Sequence, residues 1–335
     1  MALKWGIAAA GKISSDFVVA LKALPSDNHQ VVAVAARSST SAEKFAKAHG
    51  IPQAYEGYQK LAEDGNVDVV YVGVLNPQHY EVSKLMLENG KHVLCEKPFT
   101  MNEKQTRKLI EIAKAKKLFI MEAIWSRCFP AYKELRKIIE SGDIGEVVQA
   151  SVEFGFPISN NDRIKSKELG GGTILDLGIY VLQFQQYVFR GLTPSKVVAS
   201  GHLNEDGVDN SVSAILTYPG SKTALVSISS LVKLSCQGII YGTKGTIKVD
   251  EVWSPTTLDL NGQVQKFPLI ENKGSFNYYN SAGLAYEAEE VRKCIRAGAI
   301  ESEQITHKET IQLAHLMDKL RQDVGVVFPA DSENY

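Results

Sequence analysis

The sequence is poor in the features that mark secreted, membrane and metal-binding proteins. Its 335 residues include only four cysteines, Cys95, Cys128, Cys236 and Cys294, which lie far apart and form no metal-spaced pair. We therefore expect four reduced thiols, a cytoplasmic protein and no metal site. The N-terminus runs directly into a strand-like segment and shows no signal sequence. No apolar run approaches the roughly 20 residues that a membrane helix needs.

The chain also lacks an excess of either charge. Its formal net charge is −1 and no basic stripe is present, so neither nucleic acid nor an anionic membrane is an expected partner. The hydrophobic content of 44% and the charged content of 22% are those of an ordinary soluble globular protein. A chain of this length is expected to form two domains.

What the sequence does contain is a clear change of pattern near residue 123. Apolar runs that alternate with helical segments precede it: Leu3–Ala8, Val31–Ala36, Val67–Val74, His92–Cys95 and Leu118–Glu122. They predict a parallel sheet covered on both faces. A long helix at Thr173–Phe189 and a series of short strands up to Phe267 follow. We predict an α/β N-terminal Rossmann domain, residues 1–123, plus a C-terminal α+β domain, residues 124–335, with an open, predominantly antiparallel sheet.

The turn after the first strand carries a reduced dinucleotide signal. The usual fingerprint is Gly-x-Gly-x-x-Gly, and here the spacing is Ala9-x-Gly11-x-x-Ser14. Gly11 still allows the backbone to approach a pyrophosphate, and the helix that starts near Lys12 and Ile13 offers its first amides. The motif alone fits a plain tight turn equally well, but its place after a first strand favours a nucleotide site.

The end of the second strand indicates which nucleotide. NAD enzymes usually carry Asp or Glu there, whereas this chain has Arg37 and Ser38. An arginine and hydroxyl groups suit a 2′-phosphate, so we predict NADP rather than NAD. A solvated loop arginine is the alternative.

Two further strand ends complete the predicted cofactor site. Leu75, Asn76 and His79 follow the third strand and are expected to line the cleft, although His79 is as well explained as a helix cap. Glu96 and Lys97 belong to a Glu-Lys-Pro tripeptide that ends a strand. A lysine there points at a bound cofactor and can hydrogen-bond a ribose hydroxyl or a substrate oxygen. The tripeptide alone fits a charge on a surface turn better, but its place after the nucleotide signal favours the cofactor site.

Together these motifs resemble the glucose–fructose oxidoreductase and inositol dehydrogenase family over essentially the whole chain. One of these motifs reads Asp176-Leu177-Gly178-Ile179-Tyr180 in this chain. Many members carry a histidine at its last position, whereas the tyrosine found here matches the dihydrodiol dehydrogenase branch. The resemblance implies that a hydroxyl of a vicinal diol or sugar is oxidised with NADP, for example in a trans-dihydrodiol or D-xylose. It also implies a homodimer formed through the C-terminal sheet.

The expected chemistry centres on Lys97, Asp176 and Tyr180. Asp176 and Tyr180 are four residues apart, so both face one side of a helix. Tyr180 is the predicted acid/base, Lys97 would stabilise its phenolate, and Asp176 would orient substrate hydroxyls or hold Lys97. Spacing alone fits a core tyrosine and a surface aspartate better.

The substrate pocket is predicted from aromatic and basic residues, for which packing in the core or in a dimer interface is the alternative. These residues are Trp125, Arg127, Phe154 and Tyr279.

Two other functions remain open at this point. One is a non-catalytic regulator that senses a nucleotide or sugar, and the other is an interaction protein that uses the open sheet. The intact set of Lys97, Asp176 and Tyr180 favours an enzyme, since a sensor need not keep groups for proton transfer.

Overall fold

The computed structural model describes residues 2–333 and 335, which form two compact units. Unit 1 comprises Met1–Thr100, Lys104–Trp125 and Leu269–His307. Unit 2 comprises Met101–Glu103, Ser126–Pro268 and Lys308–Tyr335. The predicted domains 1–123 and 124–335 stay a proposal, and residues 269–307 group with the N-terminal sheet.

Unit 1 is built on sheet A, which has six parallel strands in the order β3-β2-β1-β4-β5-β6. The strands are β1 Leu3–Ala8, β2 His29–Ala36, β3 Gln53–Glu56, β4 Val69–Val72, β5 His92–Glu96 and β6 Ile120–Ala123. The helices are α1 Lys12–Leu21, α2 Ser39–His49, α3 Tyr58–Glu63, α4 His79–Glu88, α5 Glu103–Lys116, which begins in unit 2, and α9 Leu284–Arg296. This strand order is that of a doubly wound Rossmann fold and confirms the predicted parallel sheet.

Unit 2 is built on sheet B, which has eight strands in the order β14-β13-β12-β11-β7-β10-β9-β8. The strands are β7 Val147–Gly155, β8 Lys196–Leu203, β9 Asp209–Tyr218, β10 Lys222–Ser229, β11 Gly238–Gly242, β12 Gly245–Val249, β13 Thr257–Leu260 and β14 Gln263–Lys266. The helices are α6 Pro130–Ser141, α7 Asp162–Lys165, α8 Ile179–Val188 and α10 His307–Val324, whose first residue counts in unit 1. Among the described strands of this sheet only β7 and β10 pair in parallel, so the predicted, predominantly antiparallel sheet is confirmed.

Sheet B covers helix α8 with one face and leaves the other face open. Every residue of α8 is buried, and the helix packs against β7 and β10. Strand β9 alternates between buried and exposed residues, as expected for a sheet with one solvent face. On the open face Val198, Ile215 and Leu225 lie side by side on β8, β9 and β10, and each is exposed.

The described residues contain no helix that is long and apolar enough to cross a membrane. Short 3-10 turns at Asn76–Gln78, Trp125–Cys128, Ser281–Gly283 and Pro329–Ser332 connect the longer elements.

Candidate active site

The predicted cofactor residues gather at one edge of sheet A. Parallel strands end at the same edge, and the turns that follow β1, β2, β4 and β5 carry these residues. They are Ala9, Gly11, Lys12 and Ile13 after β1, Arg37 and Ser38 after β2, Leu75, Asn76 and His79 after β4, and Glu96 and Lys97 at the end of β5.

The N-terminus of α1 offers backbone donors to open space. Gly11 caps this helix in an extended conformation (φ −88°, ψ 179°) and, as a glycine, supplies no side-chain hydrogen bond to the first amides. A Cβ added to Gly11 would meet no atom of the described residues within 4 Å. The first amides of a helix have no partner within the helix, so the turn can bind an anion such as a pyrophosphate. The site therefore fits a dinucleotide.

Two small residues support this turn in an unusual way. Ala9 adopts φ 98°, a conformation that glycine reaches more easily, so the backbone shape is retained although the glycine is not. Ser14 occupies the third position of the fingerprint and is fully buried. Gly73 makes room for it, because a Cβ on Gly73 would stand 2.7 Å from Ser14 Oγ.

Arg37 and Ser38 lie at the exposed end of β2. The Ser38 hydroxyl accepts a hydrogen bond from Ser41 N at 3.3 Å and thereby caps α2. Burial raises the pKa of the Tyr58 phenol, and the positive charge of Arg37 opposes that rise. The Arg37 guanidinium is accordingly within electrostatic reach of the start of α3.

His79 braces two of the loops at this edge. Its ring is 1% exposed, with Nδ1 lying 2.7 Å from Pro98 O and Nε2 lying 3.1 Å from Val74 O. Burial lowers the pKa of His79 to about 4, so the ring is neutral near pH 7. These contacts tie the loop after β4 to the loop that carries Lys97. Direct contact between His79 and a cofactor stays a prediction.

Glu96 fixes the backbone that carries Lys97. Its Oε1 accepts from Tyr71 Oη at 2.5 Å and its Oε2 accepts from Lys97 N at 3.1 Å. Tyr71 is fully buried and stacks on Phe17 with ring centroids 3.9 Å apart. Glu96 thus links the buried core to the main chain at the predicted catalytic lysine.

A second carboxyl lies in the same interior. Glu287 of α9 is fully buried, and neither of its carboxyl oxygens has a hydrogen-bond partner in residues 2–333 and 335. Burial, with a smaller contribution from the charge of Glu96, raises the pKa of Glu287 well above the usual range. Glu287 is a buried carboxyl group that the sequence did not indicate.

In unit 2, Asp176 and Tyr180 lie on an irregular helix beside an aromatic cluster. The predicted helix Thr173–Phe189 begins with a π turn at Ile174–Gly178 and continues as α8. Such turns are frequent at functional sites. Tyr180 is 8% exposed and meets Phe154 edge-on, with ring centroids 5.3 Å apart. Phe154 also contacts Trp253. The structure thus brings together Asp176, Tyr180 and Phe154 within unit 2.

Arg163 is a partner of Asp176 that the sequence did not indicate. Its Nη1 donates to Asp176 Oδ1 at 2.7 Å and its Nη2 donates to Asp176 Oδ2 at 3.2 Å. The Asp176 side chain is 7% exposed and that of Arg163 is 40% exposed. Arg163 lies thirteen positions before Asp176, in a short polar segment without apolar periodicity. The pair is therefore visible only in the folded chain.

The remaining predicted substrate residues occupy different surroundings. Arg127 is fully buried, where its Nε donates to Gln183 Oε1 at 2.7 Å and its Nη1 pairs with Glu309 Oε1 at 3.2 Å. These bonds support a packing role in unit 2 rather than the predicted substrate contact. Trp125 is buried in unit 1, and Tyr279 in the same unit is 61% exposed. Substrate contact by any of these residues stays a prediction.

The described residues contain no cluster of three or more His, Cys, Asp or Glu side chains that could bind a metal ion. The groups with the chemistry for proton transfer are the side chains of Lys97, Asp176 and Tyr180, and the turn at Gly11 has the geometry for a nucleotide phosphate.

Comparison with known proteins identifies similar domains in both parts of the chain. A family model described as "Oxidoreductase family, NAD-binding Rossmann fold" matches residues 3–123. A second model, described as "GFO/IDH/MocA C-terminal domain", matches residues 132–248. Together the two models cover most of the chain.

Relatives of similar length match throughout. A trans-1,2-dihydrobenzene-1,2-diol dehydrogenase from Xenopus tropicalis is 46% identical over 330 residues, covering 98% of this chain and 100% of that protein. The protein of the same name from Homo sapiens is 42% identical over 332 residues, covering 99% of each.

Among solved structures, a 3-ketoreductase from Actinomadura kijaniata in complex with NADP and TDP-benzene has a TM-score of 0.81. It is 23% identical and covers 97% of this chain and 98% of that chain. At this identity the likeness shows a shared fold.

Proposed function

The chain belongs to the GFO/IDH/MocA family of oxidoreductases, and we propose from this that it oxidises a hydroxyl of a vicinal diol or a sugar with NADP. The proposed substrates are a trans-dihydrodiol, which would yield a catechol, and D-xylose, which would yield its lactone. Identity of 42–46% over nearly the full length of proteins named dihydrodiol dehydrogenase supports the first substrate. The observation that carries the proposal is that Asp176 in the π turn and Tyr180 at the start of α8 are both buried, with Tyr180 in contact with Phe154.

The NAD(P)-binding Rossmann fold of unit 1 supplies the proposed cofactor site. Bound NADP would accept a hydride from the carbon that bears the oxidised hydroxyl. The amides at Gly11, Lys12 and Ile13 would bind the pyrophosphate, as the open space in front of Gly11 allows. Arg37 would bind the 2′-phosphate, because a guanidinium forms charge-assisted bonds to phosphate and the end of β2 carries no carboxylate.

We assign the proton transfer to Tyr180. Its phenolate takes the proton of the substrate hydroxyl during oxidation, and the phenol so formed returns the proton in the reverse direction. Lys97 of unit 1 keeps the role predicted from the sequence, and its ammonium can bond a ribose hydroxyl of the cofactor. Asp176 accepts a hydrogen bond from a second substrate hydroxyl and so selects substrates with adjacent hydroxyls. Phe154, in contact with Tyr180, offers an apolar wall to an aromatic or sugar ring.

The open face of sheet B is the proposed dimer interface. Val198, Ile215 and Leu225 form an exposed aliphatic row across three neighbouring strands. Such a row is unfavourable in contact with water, and a second copy of the same sheet would bury it. We expect a homodimer of twice 36.8 kDa.

The substitution Tyr180→Phe tests the proposed reaction. It keeps the ring against Phe154 and removes the hydroxyl, so turnover should fall about 10²–10⁴-fold while NADP binding is unchanged. Tyr187→Phe is the matched control on the same helix, because its hydroxyl donates to Tyr132 O inside unit 2. Turnover is measured as NADPH absorbance at 340 nm with D-xylose and with a trans-dihydrodiol. A Tyr180→Phe rate within about threefold of the parent rate, well short of the loss expected for an acid/base, would contradict the assignment.

A further inference from the structure

Three consecutive glycines, Gly170, Gly171 and Gly172, shape the segment that precedes the π turn. Gly170 and Gly172 have φ values of 68° and 106°, which other residues rarely adopt. A Cβ on Gly171 would stand 2.4 Å from Ile164 O, so only glycine fits there. Gly172 N donates to Ile164 O at 2.8 Å and Gly171 N donates to Ser166 O at 2.9 Å. The glycines therefore fold helix α7 back onto the start of the π turn.

Asp209 holds the other side of this turn. Its Oδ2 accepts from Ile174 N at 2.7 Å, and its backbone carbonyl accepts from Thr173 Oγ1 at 3.1 Å. A Cβ on Gly172 would stand 2.6 Å from Asp209 Oδ1, so the glycine is also required for this close approach. Burial raises the pKa of Asp209 to about 6, and the bond from Ile174 N opposes that rise. The backbone around Asp176 is thus fixed from both sides.

The fold-back places Arg163 of α7 on the Asp176 carboxylate. The two parallel bonds, at 2.7 and 3.2 Å, engage both carboxylate oxygens and set the plane of the group. Asp176 N also donates to Gly172 O at 3.3 Å, so the same glycine turn positions the main chain and the partner of Asp176. The three glycines are needed to bring Arg163 to Asp176, which an ordinary surface charge would not require.

We infer that Arg163 is a positioning residue for the oxidation of diols, and that it acts by holding the Asp176 carboxylate in the correct orientation for a substrate hydroxyl. The inference rests on the proposed function, in which Asp176 binds that hydroxyl. The half-exposed guanidinium remains accessible from solvent, while the carboxylate that it holds is buried. Specificity for adjacent hydroxyls therefore depends on a residue of the short helix α7, outside the helical segment that carries Asp176 and Tyr180.

The test is a double-mutant cycle of Arg163→Gln and Asp176→Asn, with kcat and KM measured separately for the diol or sugar. Arg163→Gln removes the charge and the two-pronged contact, so kcat/KM should fall on the order of 10- to 100-fold, mainly through KM. Because Arg163 acts through Asp176, Arg163→Gln should cause no further loss when Asp176→Asn is already present. Arg163→Lys, which keeps the charge, should recover part of the loss.

Lys165→Gln is the matched control, because Lys165 lies on the same short helix and pairs with exposed Asp162 at 3.0 Å. It should leave kcat/KM unchanged, and thermal unfolding of all variants should show that each is folded. The inference would be overturned if the losses of kcat/KM in the two single variants multiplied in the double variant. It would also be overturned if kcat/KM of Arg163→Gln equalled that of the control. Tyr180→Phe, assayed alongside, reports on the proposed function by itself. Failure of the Arg163 variants with a strong Tyr180→Phe effect therefore refutes the positioning role alone.

Discussion

The stability of the Glu287→Gln variant relative to the parent protein should increase as the pH rises, although the substitution removes no ion pair. Glu287 is buried without a hydrogen-bond partner among the described residues, and burial raises its pKa in the folded chain well above the usual range. In the unfolded chain an ordinary glutamate has a pKa of about 4.3 and is ionised at neutral pH. Folding must therefore return a proton to Glu287, and that requirement becomes more costly as the proton concentration falls.

The size of the effect follows from this one proton. The folded pKa of Glu287 is raised above the unfolded value, so its contribution to stability is fully present below about pH 4.3 and declines as the pH rises. The decline is about 1.4 kcal/mol per pH unit until the folded group itself ionises. Between pH 5.5 and 7.5 the free energy of unfolding of Glu287→Gln should therefore rise relative to that of the parent protein. The buried amide of the new glutamine also changes the free energy of unfolding, but by an amount that does not depend on pH.

The assay is urea unfolding of both proteins at pH 5.5, 6.5 and 7.5, followed by the fluorescence of tryptophan, of which Trp5 is fully buried in unit 1. Glu271→Gln makes the same chemical change at an exposed position of unit 1 and should show no such slope. A stability difference between Glu287→Gln and the parent that stays constant within about 0.5 kcal/mol over this range, against the slope expected for one proton, would refute the reasoning.

Two further predictions concern the cofactor and the dimer. Arg37→Asp should weaken NADP binding by about 1.5–3 kcal/mol and NAD binding far less, whereas Lys47→Asp, on an exposed helix surface, should change neither. The measurement is the Kd of each variant for both nucleotides. An unchanged preference for NADP over NAD would exclude Arg37 as the phosphate ligand. Ile215→Lys places a charge in the aliphatic row of sheet B and should convert the dimer to a monomer in light scattering. Val327→Lys, also exposed but outside the sheet, should leave the dimer intact, and a parent protein that is monomeric at micromolar concentration would contradict the interface.

The sequence predicted the fold well where apolar periodicity is strong. Strands such as β4, in which every residue is buried, appear as continuous apolar runs, and the hairpins of sheet B follow from their turn residues. The short edge strand β3 was missed, because its four residues are half-buried or exposed and carry no such run. The return of residues 269–307 to unit 1 depends on contacts between distant parts of the chain, which local patterns do not contain.

For the candidate site, the resemblance to the family's motifs singled out Lys97, Asp176 and Tyr180 as candidates but not the groups that contact them. The π turn before Tyr180 could not be predicted, because one wider turn does not change which residues are apolar. The sequence therefore still shows a regular helical pattern there. Arg163 and Glu287 contact or influence the motif residues only through the folded chain. Motifs therefore identified candidate reacting groups, whereas their partners required the three-dimensional structure.

The interleaved order of the two units has a consequence for synthesis on the ribosome. Sheet A is complete at Ala123, yet helix α9 of the same unit is encoded only after Ser126–Pro268 of unit 2. At roughly 5–20 residues per second, about 7–30 s pass while that segment is translated. During this interval the nascent sheet lacks the helix that carries Glu287, and unit 2 in turn needs Lys308–Tyr335. Both units are therefore completed by the last part of the chain to emerge, so nascent chains that stall before Leu269 should remain open to proteases and chaperones.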